Sequence, residues 1–126
     1  MILVFGGAHQ GKLAYTIERF GFAEDDIYRC SEDNAAPPGG RKITYEIDKW
    51  ILALVRAGSD VSASVRQWME NNPDTIVIIN DISCGIVPVC AEMRQWREAA
   101  GRSMAAIAGV SDEVVRLFCG IPTRIK

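Results

Sequence analysis

The residues with the clearest chemical purpose stand at the start of the sequence, in MILVFGGAHQGK (Met1 to Lys12). Gly6, Gly11 and Lys12 keep the spacing Gly-x-x-x-x-Gly-Lys directly after a short apolar run. Glycines at that spacing let consecutive backbone N–H groups turn inward around an anion. The N-terminus of a following helix adds partial positive charge, and the lysine reaches the outer phosphates. Gly6, Gly7, Ala8, His9, Gln10, Gly11, Lys12 and Leu13 are therefore the candidate nucleotide-binding residues, with Lys12 also a candidate catalytic residue. One position departs from the pattern. Where such loops carry a Ser or Thr hydroxyl for Mg²⁺, this chain has Leu13, which offers no oxygen. Thr16, one turn on, is too far along the helix to take its place.

Asp81 is the second candidate, for both metal binding and catalysis. It ends an apolar strand and can hold Mg²⁺ directly or through water. The alternative is that Asn80-Asp81 only terminates the strand and satisfies a turn. His9 and Gln10 can touch phosphate or substrate. Arg94, Arg97 and Arg102 carry planar forks suited to phosphate, with a solvated helix face as the competing explanation.

The elements that position these residues follow from periodicity. Residues 2–5 read as a strand and 11–20 as a helix with Leu13, Ile17 and Phe20 on one side and Gly21 as its C-cap. Residues 27–30 form a second strand. SEDNAAPPGG at 31–40 has no apolar period and is a loop. From Ile43 onward, Ile47, Trp50, Ile51, Leu54 and Val55 recur at helical spacing up to Gly58. Ser59 or Asp60 caps the next helix, which carries Val61, Val65, Trp68 and Met69. Trp50 and Trp68 are placed in the core rather than on a stacking platform. TIVII at 75–79 is apolar on both faces and fits a central parallel strand. A long helix at 89–108, a strand at 114–119 and an edge segment at 121–126 complete the chain. The order predicts an α/β fold: one three-layer domain over 1–126, with a small, mostly parallel sheet flanked by helices. Ligands of such sheets bind beyond the strand C-terminal ends, where the loop, residue 31 onward and residues 80–88 gather.

Composition narrows the function. At 126 residues, 48% apolar and 24% charged, the chain suits one soluble core. A formal net charge of −2 gives no pull toward nucleic acid or anionic membrane. No apolar stretch approaches the ~20 residues of a membrane span. The N-terminal run has no basic leader and breaks at a Gly pair, unlike a secretory signal. Cys30, Cys84, Cys90 and Cys119 form no Cys-x-x-Cys pair, and His9, the one histidine, is remote from them in sequence. Free thiols in a reducing cytoplasm are the expectation, with no zinc site.

Three further stretches follow in order: NDISCGIVP at 80–88, RQWREAAGR at 94–102 and SDEVVRLFCGIPTRIK at 111–126. Together with the first dozen residues they resemble the bifunctional adenosylcobinamide kinase/adenosylcobinamide-phosphate guanylyltransferase family of cobalamin biosynthesis. The resemblance covers both ends, roughly half the chain. It implies a P-loop-like fold, a homotrimer, ATP or GTP as substrate with Mg²⁺, and phosphorylation of a corrinoid alcohol. It also implies GMP transfer through a guanylylated histidine. Gly6, Gly7, Gly11 and Lys12 match the family's loop, and Asp81 its glutamate. The chain is shorter than the family, chiefly in the middle, and has no histidine where the guanylylated one stands. Met104 and Ala105 replace small polar residues, and the family's extra acidic strand is not legible. Kinase-type phosphoryl transfer is the half of the chemistry that remains compatible. A nucleotide- or corrinoid-binding partner subunit without turnover is the alternative.

Overall fold

The protein is described by a computed structural model over residues 1–82 and 90–126. Six strands form one sheet: β1 (Ile2–Gly6), β2 (Ile27–Arg29), β3 (Ile43–Tyr45), β4 (Ile76–Asn80), β5 (Glu113–Phe118) and β6 (Ile121–Arg124). Their spatial order is β2-β3-β4-β1-β5-β6, with every pairing parallel except β5–β6. The helices are α1 (Lys12–Phe20), α2 (Ile47–Arg56), α3 (Val61–Asn71) and α4 (Ala91–Val110). The α/β three-layer expectation is met.

Alternation along the strands builds the layers. Leu3, Val77, Ile79 and Val114 point into a cluster with Trp50, Ile51, Leu54, Val65 and Ile107 from α2, α3 and α4. Val4, Ile78, Val115 and Leu117 point the other way, against Leu13, Ile17 and Phe20 of α1. A strand buried on both faces must be apolar wherever it is buried, and β4 is apolar from Ile76 to Ile79, with half-buried Asn80 at its end. Trp50 and Trp68 are core residues, with ring centroids 5.8 Å apart at 56°. Asp60 caps α3 by accepting from the Ala63 N–H (3.1 Å), and Gly21 ends α1 in the left-handed region. No helix among the described residues is long and apolar enough to cross a membrane.

The structure departs from the sequence expectation at Ile43. Residues 43–45 form β3, between β2 and β4, and the helix begins only at Ile47. Three residues are too few for a period of two to show. Glu46 breaks the run with a left-handed backbone (φ 58°). Buried Thr44 is satisfied by a 3.0 Å hydroxyl bond to Thr75, which fixes this strand beside β4. The turn and Ile-Val-Pro segment expected after Ile82, together with Cys84 and the first residue of the expected long helix, lie outside the described residues.

Candidate nucleotide site

The loop is shaped by its backbone neighbours. Gly6 has φ 158°, and a Cβ placed there would lie 2.4 Å from the Leu117 carbonyl oxygen of β5. Only glycine lets β1 end this close to β5. Gly11 precedes α1 at φ 84° and brings no side-chain acceptor, so the first-turn N–H groups of α1 receive none from the cap. The Cys119-Gly120 turn of the β5–β6 hairpin closes the outer side. The Cys119 N–H donates to Gln10 Oε1 (2.5 Å) and the Gly120 N–H to the Gln10 carbonyl (3.2 Å). On the inner side the Asp81 N–H donates to the Gly6 carbonyl (2.8 Å).

Lys12 opens α1 and is buried, with Nζ donating back to the Gly7 carbonyl (2.6 Å). Burial pulls its pKa below the usual lysine value, while Asp48 and Glu46 partly hold it up. Those two carboxylates come from the end of β3 and the first turn of α2. Asp48 is buried and accepts from the Asn80 backbone N–H (3.0 Å) and the Asn80 side-chain amide (3.4 Å). The same amide nitrogen reaches Glu46 Oε2 (3.4 Å), which Lys49 Nζ also approaches at 2.9 Å. Trp96 Nε1 donates to the Asp48 carbonyl (2.8 Å), anchoring α4 to this end of α2. The adjacent strands β3, β4 and β1 thus deliver two carboxylates, a carboxamide and the lysine loop to one edge of the sheet.

The sequence candidates separate accordingly. Gly6, Gly7, Ala8, His9, Gln10, Gly11 and Lys12 form one continuous loop, with Ala8 and His9 exposed. Leu13 packs into the α1-side cluster, and the buried Thr16 hydroxyl donates to the Lys12 carbonyl (2.8 Å), so neither offers oxygen to a cation. Asp81 is half-buried beside the loop. Arg102 pairs with Glu98 on the outer part of α4, while Arg94 and Arg97 flank Trp96 in sequence. Cys30, Cys90 and Cys119 are free, and burial raises the Cys30 thiol to about 12, leaving it inert. Glu46 and Asp48 were not among the sequence candidates, because the stretch from Ile43 was read for its helical apolar spacing and strand β3 was not recognised. The signal that could have found them is an acidic pair right after a β-branched and aromatic triplet.

Among the described residues no group of three His, Cys, Asp or Glu is placed to hold a metal. Mg²⁺ does not need one, since it keeps several waters and takes one or two carboxylates plus phosphate oxygens. Glu46 and Asp48, which share the Asn80 side-chain amide, are two carboxylates of the kind that set uses.

Ionised Asp48 carries a stability consequence. Burial raises its pKa above the 3.8 reference, with Glu46 adding to the rise and the Asn80 bonds opposing it. The folded state therefore holds this proton more tightly than the unfolded state. The stabilisation is full below the unfolded value and is lost as pH rises through the folded one. Asp48→Asn is expected to gain stability relative to the parent as pH is raised across that window, by about 1 kcal/mol. Urea denaturation at a series of pH values reads the difference, and parallel curves for the two proteins would exclude it.

No curated protein matches the chain. Residues 42–125, two thirds of the sequence, match the family described as cobinamide kinase / cobinamide phosphate guanyltransferase. The match runs from β3 to β6 and so takes in Glu46, Asp48, Asn80 and the α4 helix, while the candidate loop at 6–12 precedes it. By that match the chain belongs to the cobinamide kinase / cobinamide phosphate guanyltransferase family.

Proposed function

We propose that the chain binds ATP or GTP at the 6–12 loop and acts in cobalamin assembly as a kinase-type transferase on a corrinoid alcohol. The observation that carries this reading is buried Lys12, folded over a glycine loop and faced by Asp48 and Glu46 across adjacent strand ends. A lysine kept this dry without a direct carboxylate bond is poised for an incoming anion. The N–H groups of the first turn of α1 would cradle the phosphates, and Lys12 would leave the Gly7 carbonyl to meet the outer ones. Mg²⁺, when bound, would neutralise charge between the transferred and leaving phosphates. Glu46, Asp48 or Asp81 would hold it, largely through water. The acceptor hydroxyl oxygen bonds to the terminal phosphorus as its bond to the nucleoside diphosphate breaks, and the hydroxyl proton is released.

A second reading has specific support: a nucleotide- or corrinoid-binding partner subunit without turnover. Leu13 faces the apolar cluster, the Thr16 hydroxyl is committed, and His9 lies inside the loop rather than after β2. Histidine-mediated guanylyl transfer is accordingly not part of the proposal. Assembly as a homotrimer, implied by the family resemblance, and a cytoplasmic location, suggested by the cysteine usage, are part of the same proposal.

Calorimetry with ATP and GTP, with and without Mg²⁺, followed by a turnover assay on cobinamide, separates the readings. No binding of either nucleotide removes the kinase reading and the nucleotide-binding subunit, and nucleotide binding without turnover selects the partner subunit. Leu13→Ser restores one oxygen ligand and is expected to raise Mg²⁺-dependent nucleotide affinity about tenfold. It also removes apolar contact with the α1-side cluster, costing about 1 kcal/mol in thermal stability. An affinity gain equally large without Mg²⁺ would show that the hydroxyl does not act on the metal.

A further inference from the structure

A second recess lies away from the phosphate loop. Between the 31–40 loop and the α2–α3 pair is a cavity of about 290 Å³. Trp50 and Trp68 form its walls, Ala35 and Pro37 face it from the loop, and Gln67 and Asn71 line it from α3. That volume equals about ten waters at ~30 Å³ each. Charged residues make up 24% of the sequence, yet all ten residues lining this cavity are uncharged. An ionic ligand would find no counter-charge in it.

Trp68 adds an independent observation. It is 2% exposed, and its indole N–H has no hydrogen-bond partner among the described residues. The other two tryptophans are satisfied: Trp50 Nε1 donates to the Ala35 carbonyl (3.1 Å) and Trp96 Nε1 to the Asp48 carbonyl (2.8 Å). Asn72, also lining the cavity, spends its amide nitrogen on the Trp68 carbonyl (2.9 Å). An indole nitrogen is a donor only, so an acceptor must come from elsewhere to relieve it.

We propose that this cavity is a binding site for a small, flat, neutral molecule bearing a carboxamide. The carbonyl oxygen accepts from Trp68 Nε1, and the apolar body lies against the two indoles. The amide nitrogen donates to the side-chain oxygens of Gln67 or Asn71. A carboxamide suits the lining because it supplies the missing acceptor and a donor while adding no charge. Trp68 Nε1 is covered in the free protein, so the carbonyl reaches it by displacing part of the wall. On the loop side Ala36 and Pro37 are exposed, while Ala35 is held by the Trp50 indole. The cavity shares no lining residue with the 6–12 loop, and the proposal does not depend on nucleotide binding.

The test is a titration of the ¹⁵N-labelled chain with benzamide, followed on the three indole N–H resonances. Trp50 and Trp96 serve as internal references. The Trp68 resonance is expected to move downfield and saturate. Toluene, of similar shape without the carbonyl, is expected to bind at least about tenfold more weakly, and benzoate more weakly still. Trp68→Phe keeps the apolar wall and is expected to erase the preference for benzamide over toluene. Gln67→Ala, on the exposed rim, is expected to keep the fold and weaken benzamide severalfold. A Trp68 resonance unmoved up to the solubility limit of benzamide, or equal affinity for benzamide and toluene in the parent chain, overturns the proposal. The parent titration alone decides the matter if Trp68→Phe does not fold.

Discussion

Gly6→Ala is expected to destabilise the protein by about 3 kcal/mol or more, a fall in melting temperature of about 10 °C. Two effects add. The φ of 158° at this residue is one that side-chain-bearing residues rarely adopt, and the new Cβ would meet the Leu117 carbonyl oxygen at 2.4 Å. That oxygen belongs to a central region of the sheet. Strand β1 is paired on both sides through Phe5, with Ile79 and with Arg116, so neither strand can move aside cheaply. Gly7→Ala is the control. Its Cβ would come no nearer than 3.7 Å to the Gln10 side chain, an ordinary contact, and the expected change is under about 1 kcal/mol. Thermal denaturation followed by circular dichroism distinguishes the pair. Equal melting temperatures would mean that the loop does not take the path described here.

Lys12→Met has the opposite profile, with little cost to folding and a large loss of binding. The ammonium is buried against one carbonyl, and burial lowers its pKa. The folded state therefore disfavours the Lys12 proton. This penalty is fully present below the lowered value and is relieved as pH climbs through it toward the unfolded value. Methionine keeps the stem packing without the penalty, so stability is expected to hold or rise by about 1 kcal/mol. Nucleotide affinity is expected to fall about 10- to 100-fold, the effect of losing a charged hydrogen-bond donor to phosphate. Proton linkage gives a second readout. A polyphosphate beside Lys12 raises its pKa, so binding takes up protons and weakens as pH rises through the lowered free value. Calorimetry in buffers of different ionisation heat measures that uptake. If Lys12→Met binds ATP and GTP within twofold of the parent, the loop is not the nucleotide site.

What the sequence made legible and what it hid divide along physical lines. Elements whose burial pattern repeats over several turns were readable: α1, α2, α3 and α4 each carry enough apolar positions to set a period. The turn at Gly6 and Gly11 was readable because its glycines are a local backbone requirement. Strand β3 was not, since three residues followed at once by a helix blend into the helical pattern. Missing it hid Glu46 and Asp48, whose place beside Lys12 depends on β3 and β4 lying side by side. The Gln10 contacts with Cys119 and Gly120 were equally hidden, because they join residues 109 and 110 positions apart. Core placement of Trp50 and Trp68 was legible from apolar spacing. The unsatisfied indole nitrogen of Trp68 was not, because hydrogen-bond partners depend on tertiary approach.

The hairpin turn resting on Gln10 also bears on the order of events during synthesis. The loop residues leave the ribosome well before β4 and β5, yet β1 lies between those two strands, and the outer brace of the loop is the turn after β5. A nascent chain that reaches only into α4 holds the glycines and Lys12 but lacks β5, β6 and the donors for Gln10. Contacts of such sequence separation form late and slowly. The loop acquires its shape only when the last hairpin docks, so an arrested chain ending before Glu113 should present Gly6 to Lys12 as unstructured, protease-accessible polypeptide.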